Sequence, residues 1–420
     1  MFEKVLLKNM DHPESHTIGA YEAAGGYKAL ATVLKKYTPD EVIKQVKASN
    51  LRGRGGAGFP TGLKWSFVPK DSAKIPYLCC NADEGEPGTF KDRALMEKDP
   101  HMMIEGMIIA AYAIGAKIAY IYIRGEYELC INRVEKAIKD ATEKEYLGAD
   151  ILKSGFALEV YVHRGAGAYI CGEETALLES IEGRRAQPKL KPPFPAISGL
   201  YDCPTVINNV ETFACLPHIF ERGVDWFCSI GPEGSPGPKL FCLSGQINKP
   251  GLYEAPMGIT MREMIEEYGG GACSGQVKAV IPGGVSAPMF PVSDLDIKLD
   301  FESLAAAGSM LGSAGVIVLD DSACVVNTIT RITEFFNHES CGKCTPCREG
   351  LDWCAKILRR LESGDGKLED LDQLEALCST IFGNSFCALG VGASWALQAA
   401  LKHFRAEFVQ HIEEKGCPFH

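Results

Sequence analysis

Cys341, Cys344 and Cys347 are separated from one another by two residues each. Thiolates at that spacing can wrap three corners of an iron–sulfur cubane, whereas a structural zinc site more often takes two separated pairs. The Cys-Pro that usually continues a ferredoxin run is absent, so a fourth ligand must come from elsewhere, with Cys354, Cys378 and Cys387 as candidates. Cys354 sits two turns beyond Cys347, about 10 Å along the axis of an intact helix, which is too far. Cys387, in Asn384-Ser385-Phe386-Cys387, falls in an expected helix–helix loop and is the better choice. Cys378 reads most simply as a buried thiol. One ligand set implies one cluster, an electron relay with no substrate of its own. No nucleophile–base triad is visible, and the nine histidines form no metal-ligand spacing.

A second group of residues gathers where strands are expected to end. The first expected strand runs into Asn81-Ala82-Asp83-Glu84-Gly85-Glu86-Pro87-Gly88, the second into Arg124-Gly125-Glu126-Tyr127, and the third into a stretch from Arg164 through Gly172, Glu173 and Glu174. Glycines let backbone approach a flat ligand or a phosphate, while carboxylates and amides bind ribose hydroxyls and heterocycle edges. Ligands of open parallel sheets bind beyond the carboxyl ends of the strands, so three such ends in succession point to one crevice. Gly53-Arg54-Gly55-Gly56-Ala57-Gly58 fits the dinucleotide-binding glycine pattern as a string, but a helix rather than a strand precedes it, so it is not a standard fingerprint. Arg54 and, farther on, Lys64 could lie across a flavin or its phosphate. Phe59, Trp65 and Phe67 could stack on a planar ring, although core packing is the blander reading of each.

The elements that must position these residues follow from periodicity. Residues 15–50 read as two short helices, one opening at Pro39-Asp40-Glu41 with proline and acids in its first turn. Apolar or β-branched runs at 75–81, 117–123 and 157–163 read as strands, alternating with helices at 100–113, 128–144 and 173–182. That β-α-β-α-β order implies a parallel, doubly wound sheet. After a proline-rich loop at 188–195 the texture changes. Short strands at 239–245, 251–253 and 277–282 surround one helix at 260–268, a small α+β module. From Ser322 onward four amphipathic stretches, with the cysteine cluster between the first two, read as a helical bundle.

The bulk composition is compatible with all of this. The chain has 420 residues, enough for two to four domains, with 46% hydrophobic and 23% charged residues. A net charge of −11 argues against nonspecific nucleic-acid binding. Seventeen cysteines, mostly in apolar contexts, suit a reducing cytoplasm with one metal site better than a disulfide framework. The N-terminus resembles neither a signal peptide nor a transit peptide, which favours a bacterial, cytoplasmic protein. The best candidate for a membrane span, 104–123, is broken by Glu105, Gly115 and Lys117.

Taken together, the motifs Leu51-Arg-Gly-Arg-Gly-Gly-Ala-Gly-Phe-Pro-Thr-Gly62, residues 81–93, residues 163–176, Lys191-Pro-Pro-Phe-Pro195, Asn208-Asn209-Val210-Glu211-Thr212 and Glu339-Ser-Cys-Gly-Lys-Cys-Thr-Pro-Cys-Arg-Glu349 are similar to those of one family. The chain resembles the NADH-oxidising, FMN-carrying flavoprotein subunit of bacterial respiratory complex I, NADH:quinone oxidoreductase, from about residue 15 to about residue 405. The resemblance implies an α/β fold: a Rossmann-like FMN-binding domain with a parallel sheet (1–235), a ubiquitin-like β-grasp domain (236–325) and a C-terminal four-helix bundle carrying a [4Fe–4S] cluster (326–420). It places FMN at Gly53, Arg54, Gly55, Lys64, Asn81, Asp83, Glu84, Gly172, Glu173, Asn208 and Asn209. It places NADH at Phe59, Phe67, Glu86, Glu174, Lys191 and Phe194, with Glu86 and Glu174 as the catalytic-site carboxylates, and it makes Cys341, Cys344, Cys347 and Cys387 the cluster ligands. Gly85 stands where some members have Ser.

NADH gives two electrons as hydride and a cluster takes one, so a flavin is needed to convert one regime to the other, and the side chains need only position the reactants. The implied partners are a small thioredoxin-like [2Fe–2S] subunit and a larger iron–sulfur subunit, which would hold the protein peripherally on the inner face of the cytoplasmic membrane. The same flavoprotein type occurs as the diaphorase subunit of NAD-linked hydrogenases and formate dehydrogenases. Many of those carry extra ferredoxin or thioredoxin-like domains, for which this chain has no further cysteine cluster.

Overall fold

A computed structural model describes residues 2–419. The chain divides into two compact units, one of residues 1–85, 90–241 and 254–258, the other of residues 86–89, 242–253 and 259–420.

The first unit is built on a parallel sheet of order β3-β2-β1-β4, with β1 at Tyr77–Ala82, β2 at Ile118–Ile123, β3 at Glu159–Arg164 and β4 at Thr205–Asn209. The central strand β1 is buried over Leu78, Cys79 and Cys80, as expected of a parallel strand covered on both faces, whereas the edge strand β3 is half-exposed. Register sets Ala82 beside Ile123, Ile123 beside Arg164 and Asn81 beside Asn209, so all four strands end at one edge. β4 was not among the expected strands.

The helices of this unit are α1 (Ile18–Ala23), α2 (Lys28–Lys36), α3 (Pro39–Ala48), α4 (Thr61–Trp65), α5 (Lys91–Lys98), α6 (Pro100–Ile114), α7 (Glu128–Glu143), α8 (Glu174–Ile181), α9 (Val210–Arg222) and α10 (Val224–Cys228). Three helices therefore fill 15–50 where two were expected. Of these, α3 starts with a full capping box between Thr38 and Glu41 and has Pro39 in its first turn. The long helix α6 is apolar on nearly every side and correspondingly buried, and it closes on Gly115 in the left-handed region. Its one carboxylate, Glu105, accepts hydrogen bonds from the Tyr21 hydroxyl (2.5 Å) and from the Tyr27 and Leu30 amides (2.8 and 2.9 Å). The residue that spoils this segment as a membrane span thus ties the first two helices to it. Gly106 lets α9 approach, since a Cβ there would lie 2.0 Å from the Phe213 carbonyl oxygen.

A second sheet, of order β6-β5-β9-β7-β8, is formed by β5 (Pro238–Gly245), β6 (Gly251–Pro256), β7 (Val277–Ile281), β8 (Phe290–Pro291) and β9 (Gly315–Asp320). β5 and β9 are parallel, and β7 is antiparallel to both β8 and β9. With α11 (Met261–Glu263), which continues as a wider turn to Tyr268, and α12 (Phe301–Ala306), this is the β-grasp arrangement. Four helices follow: α13 (Val325–Glu339), α14 (Thr345–Glu362), α15 (Leu368–Ile381) and α16 (Ala388–Glu413). Their short connections make successive helices antiparallel, and Ile329, Phe336, Leu351, Leu358, Leu374 and Leu397 fill the bundle core.

Candidate functional site

At the sheet edge the side chains are held by one another. Asn81 donates from Nδ2 to the Gly172 carbonyl (2.8 Å) and accepts at Oδ1 from the Asp83 amide (3.1 Å), joining the end of β1 to the turn before α8. Glu173 caps α8, accepting from the Thr175 and Ala176 amides. Glu174, the first helical residue, has its carboxylate between Lys191 (2.6 Å) and Lys64 (3.4 Å). Burial pushes its pKa up, but the two ammonium groups outweigh burial and hold it below the usual range. Lys64 also donates to the Ile207 carbonyl on β4 (3.1 Å), so it bridges α8 and the strand.

The glycine loop rests on the same edge. Gly53 donates to the Phe59 carbonyl (2.9 Å), and a Cβ on Gly55 would come 2.9 Å from Asn209 Cβ, so only glycine lets the loop lie this close to the end of β4. A Cβ on Gly172 would lie 3.4 Å from the Asp83 carbonyl oxygen, a much milder approach. Arg54 departs from expectation. Its guanidinium is fully buried and donates to the Pro236 and Pro238 carbonyls (2.9 and 3.2 Å), while its amide donates to the Thr212 hydroxyl. The cationic side chain is thus committed to backbone carbonyls of the interior. Trp65 is also interior: its indole donates to Asn208 Oδ1 (2.8 Å). By contrast Phe59, Phe67 and Phe194 are 42%, 46% and 57% exposed, enough free ring face for a nucleobase to cover.

Beneath Asn209 lies a buried ionic network that sequence reasoning missed. Lys91 Nζ meets Asp92 (2.7 Å), Glu211 (3.0 Å) and Asn209 Oδ1 (3.1 Å); Lys239 meets Glu211 (2.6 Å); and Asn209 Nδ2 donates to Asp92 (2.6 Å). Burial pushes Glu211 up, but Lys239, Lys91 and Arg54 override it and lower its pKa; Lys239 itself is brought down to about 8 by burial, against Glu211. Lys91, Asp92 and Glu211 stand inside motifs already quoted, yet nothing in their spacing announces burial. Glu84, expected at the ligand, caps α5 instead: its carboxylate accepts from the Asp92 and Arg93 amides (2.8 and 3.0 Å), and burial, then Asp92, raises its pKa to about 7. Its carbonyl accepts from Arg124 (2.7 Å), whose guanidinium also stands 3.9 Å from the buried Asp83. Glu86 belongs to the second unit, where it accepts from the amide and hydroxyl of Ser286 (2.8 and 2.7 Å).

In the helical bundle, Cys344 is the N-cap residue of α14, Cys347 lies in its first turn, and Cys387 is the N-cap residue of α16. Helix N-termini favour thiolates. Burial pushes the Cys347 thiol up to about 12; Ser340, 3.3 Å away, opposes this, while Cys344, Cys387 and Cys341 add to it. The Phe386 amide donates to Cys344 Sγ (3.4 Å). Cys354 and Cys378 are fully buried and face each other in the bundle core. An all-thiol donor set with three members in seven residues fits an iron–sulfur cube, and the glycine-walled edge with Lys64, Asn81 and Asn209 fits a flavin and its phosphate.

Residues 46–218 match the family described as the Nuo51 FMN-binding domain, 239–318 the SLBB domain, and 327–411 the NADH-ubiquinone oxidoreductase-F iron-sulfur binding region. The chain is 68% identical to an NADH-quinone oxidoreductase F-type subunit of Rhizobium meliloti, over 100% of both chains. It is 53% identical to the NADH-quinone oxidoreductase F-type subunit of Mycobacterium bovis, over 99% of this chain and 95% of that one. It is also similar to a chain of an NAD+-reducing [NiFe]-hydrogenase, at 35% identity and a TM-score of 0.84, over 98% of this chain and 67% of that one.

Proposed function

The chain belongs to the family of NADH-quinone oxidoreductase F-type subunits, and from that premise we propose which of its residues carry the activity. The protein is the NADH dehydrogenase flavoprotein subunit of complex I: FMN takes hydride from NADH, and a [4Fe–4S] cluster carries the electrons on singly.

The observation that carries the residue assignment is the Lys64–Glu174–Lys191 arrangement at the start of α8, beside β4. Lys64 is the cation of the flavin pocket, with Gly53, Arg54 and Gly55 contributing backbone and Asn81, Asp83, Gly172, Glu173, Asn208 and Asn209 lining the rest. Glu84 supports that pocket by fixing α5. Glu174 accepts from ribose hydroxyls and repels a 2′-phosphate. Phe59, Phe67 and Phe194 cover the nucleobase, Lys191 orients Glu174, and Glu86 is the second NADH carboxylate. Cys341, Cys344, Cys347 and Cys387 hold the cluster. Domain limits at 235/236 and 325/326 go with this assignment.

Lys64→Ala tests it. Purified protein is expected to lose most of its FMN while keeping its iron; unchanged FMN content and NADH oxidation would remove Lys64 from the pocket.

As one subunit of a complex, the chain is proposed to hand its electrons to a small thioredoxin-like [2Fe–2S] subunit and a larger iron–sulfur subunit. These would hold it on the cytoplasmic face of the membrane. No helix among the described residues is long and apolar enough to cross a bilayer. The diaphorase subunit of an NAD-linked hydrogenase or formate dehydrogenase is the second reading, supported by the hydrogenase likeness. The full-length correspondence with the Rhizobium meliloti protein favours complex I.

A further inference from the structure

Four potential metal ligands converge at the end of the helical bundle opposite the cluster cysteines. Cys324 is the N-cap residue of α13, Glu362 ends α14, His411 lies in the last turn of α16, and Cys417 is in the tail that follows. Cys324 Sγ is 3.3 Å from His411 Nε2 and 4.0 Å from Glu362 Oε1, and His411 Nε2 is 3.7 Å from the same Glu362 oxygen. Cys417 Sγ lies within 4.8 Å of both Cys324 Sγ and the His411 ligand nitrogen. A tetrahedral zinc with bonds of about 2.3 Å to sulfur and about 2.0 Å to nitrogen or oxygen requires ligand-to-ligand edges of about 3.3–3.8 Å. The Cys324–His411 and His411–Glu362 edges, 3.3 and 3.7 Å, fall in that range, and the Cys324–Glu362 edge, 4.0 Å, lies slightly beyond it.

The outer contacts orient each ligand. His411 Nδ1 donates to the Glu407 carbonyl (2.7 Å), which leaves the Nε2 lone pair facing Cys324 and Glu362. Asn327 donates from its amide to Cys324 Sγ (3.1 Å) and from Nδ2 to the other Glu362 oxygen (3.1 Å). His411 is fully buried and Cys324 nearly so. The tail is set by backbone: Gly416 donates to the His411 carbonyl (3.0 Å), and Lys415 crosses so close to Gly364 that any Cβ there would meet its carbonyl at 2.2 Å. The Phe419 ring lies against Lys278 Nζ (4.3 Å).

We propose that Cys324, Glu362, His411 and Cys417 form a structural zinc site that fastens the C-terminal tail to the ends of α13, α14 and α16. It is separate from the iron–sulfur ligands, because Glu362 lies fifteen residues beyond Cys347 on one helix, about 22 Å along its axis. All four positions are filled by protein, so the site has no open coordination place for a substrate. Zinc displaces the two thiol protons on binding, and no electrons move. The histidine took no part in any local sequence spacing, since its partners lie 87, 49 and 6 residues away along the chain.

The test is metal analysis and zinc K-edge X-ray absorption on the purified complex, compared with Cys417→Ser and Glu362→Gln. The expected result is about one zinc per chain with a shell of two sulfurs near 2.3 Å and two lighter ligands near 2.0 Å. Cys417→Ser is expected to lower zinc at least tenfold while iron, FMN and NADH oxidation stay unchanged. Glu362→Gln is expected to weaken zinc retention against a chelator. Zinc absent from the wild type, a four-sulfur shell typical of zinc in an emptied cluster site, or zinc unchanged in Cys417→Ser would overturn the proposal. So would a polypeptide mass two hydrogens light, which would mean a Cys324–Cys417 disulfide in place of the metal.

Discussion

Cys387, proposed as the fourth cluster ligand, stands at the start of α16, 40 residues past the Cys341–Cys347 loop, and a cube cannot keep four cysteine ligands without it. Cys387→Ala is expected to abolish the low-temperature EPR signal of the cluster and leave FMN bound. Cys378→Ala is expected to leave that signal intact, because its thiol faces Cys354 in the core. A full signal in Cys387→Ala would require another ligand. At Glu174, Glu174→Gln removes the charge that lies between Lys64 and Lys191. The preference for NADH over NADPH, read as a ratio of kcat/KM values, is expected to narrow by about tenfold, or roughly 1.4 kcal/mol; an unchanged ratio would deny Glu174 that role. The residues legible from sequence were those whose local chemistry decides their use: glycines at a close approach, and thiols at fixed spacing. Arg54 was not, because a cation in a glycine loop suggests phosphate, while carbonyls at Pro236 and Pro238 determine where the guanidinium goes. The Lys91–Glu211–Lys239 network escaped for the same reason: a charge looks solvent-exposed in sequence until its distant partner is known.

Among the elements, α6 and α9 show how the scaffold beneath the site is set. Their crossing depends on Gly106, where an added methyl would overlap the Phe213 carbonyl. Gly106→Ala is expected to destabilise the protein by about 1–3 kcal/mol in denaturant unfolding, through overpacking. A change near zero would mean that the helices separate without cost. The three expected strands and their intervening helices were legible because each spans enough residues to display a period. β4 was not, since Thr205–Asn209 is five residues long and passes directly into α9 with Asn209 as its cap. β9 was missed likewise: its parallel partner β5 lies about 70 residues earlier, and sheet membership of that kind is a tertiary property. The bundle was legible as four amphipathic stretches because its core is formed by neighbours in sequence order.

For the whole molecule, the nucleotide chemistry is assigned largely to the first unit and the cluster to the second. The progression from parallel α/β sheet to small mixed sheet to helices could be read from texture alone, because each change of periodicity marks a change of architecture. The grouping into two compact units could not, since it depends on contacts between distant segments, including the short piece 86–89. The most direct measurement is an anaerobic NADH titration of the FMN-loaded protein and of the same protein stripped of FMN, followed by flavin absorbance and cluster EPR. The expected result is bleaching of the flavin with appearance of the reduced-cluster signal in the loaded protein, and no cluster signal in the stripped one. A flavin left oxidised by NADH, or a cluster reduced equally well without FMN, would contradict electron entry through the flavin.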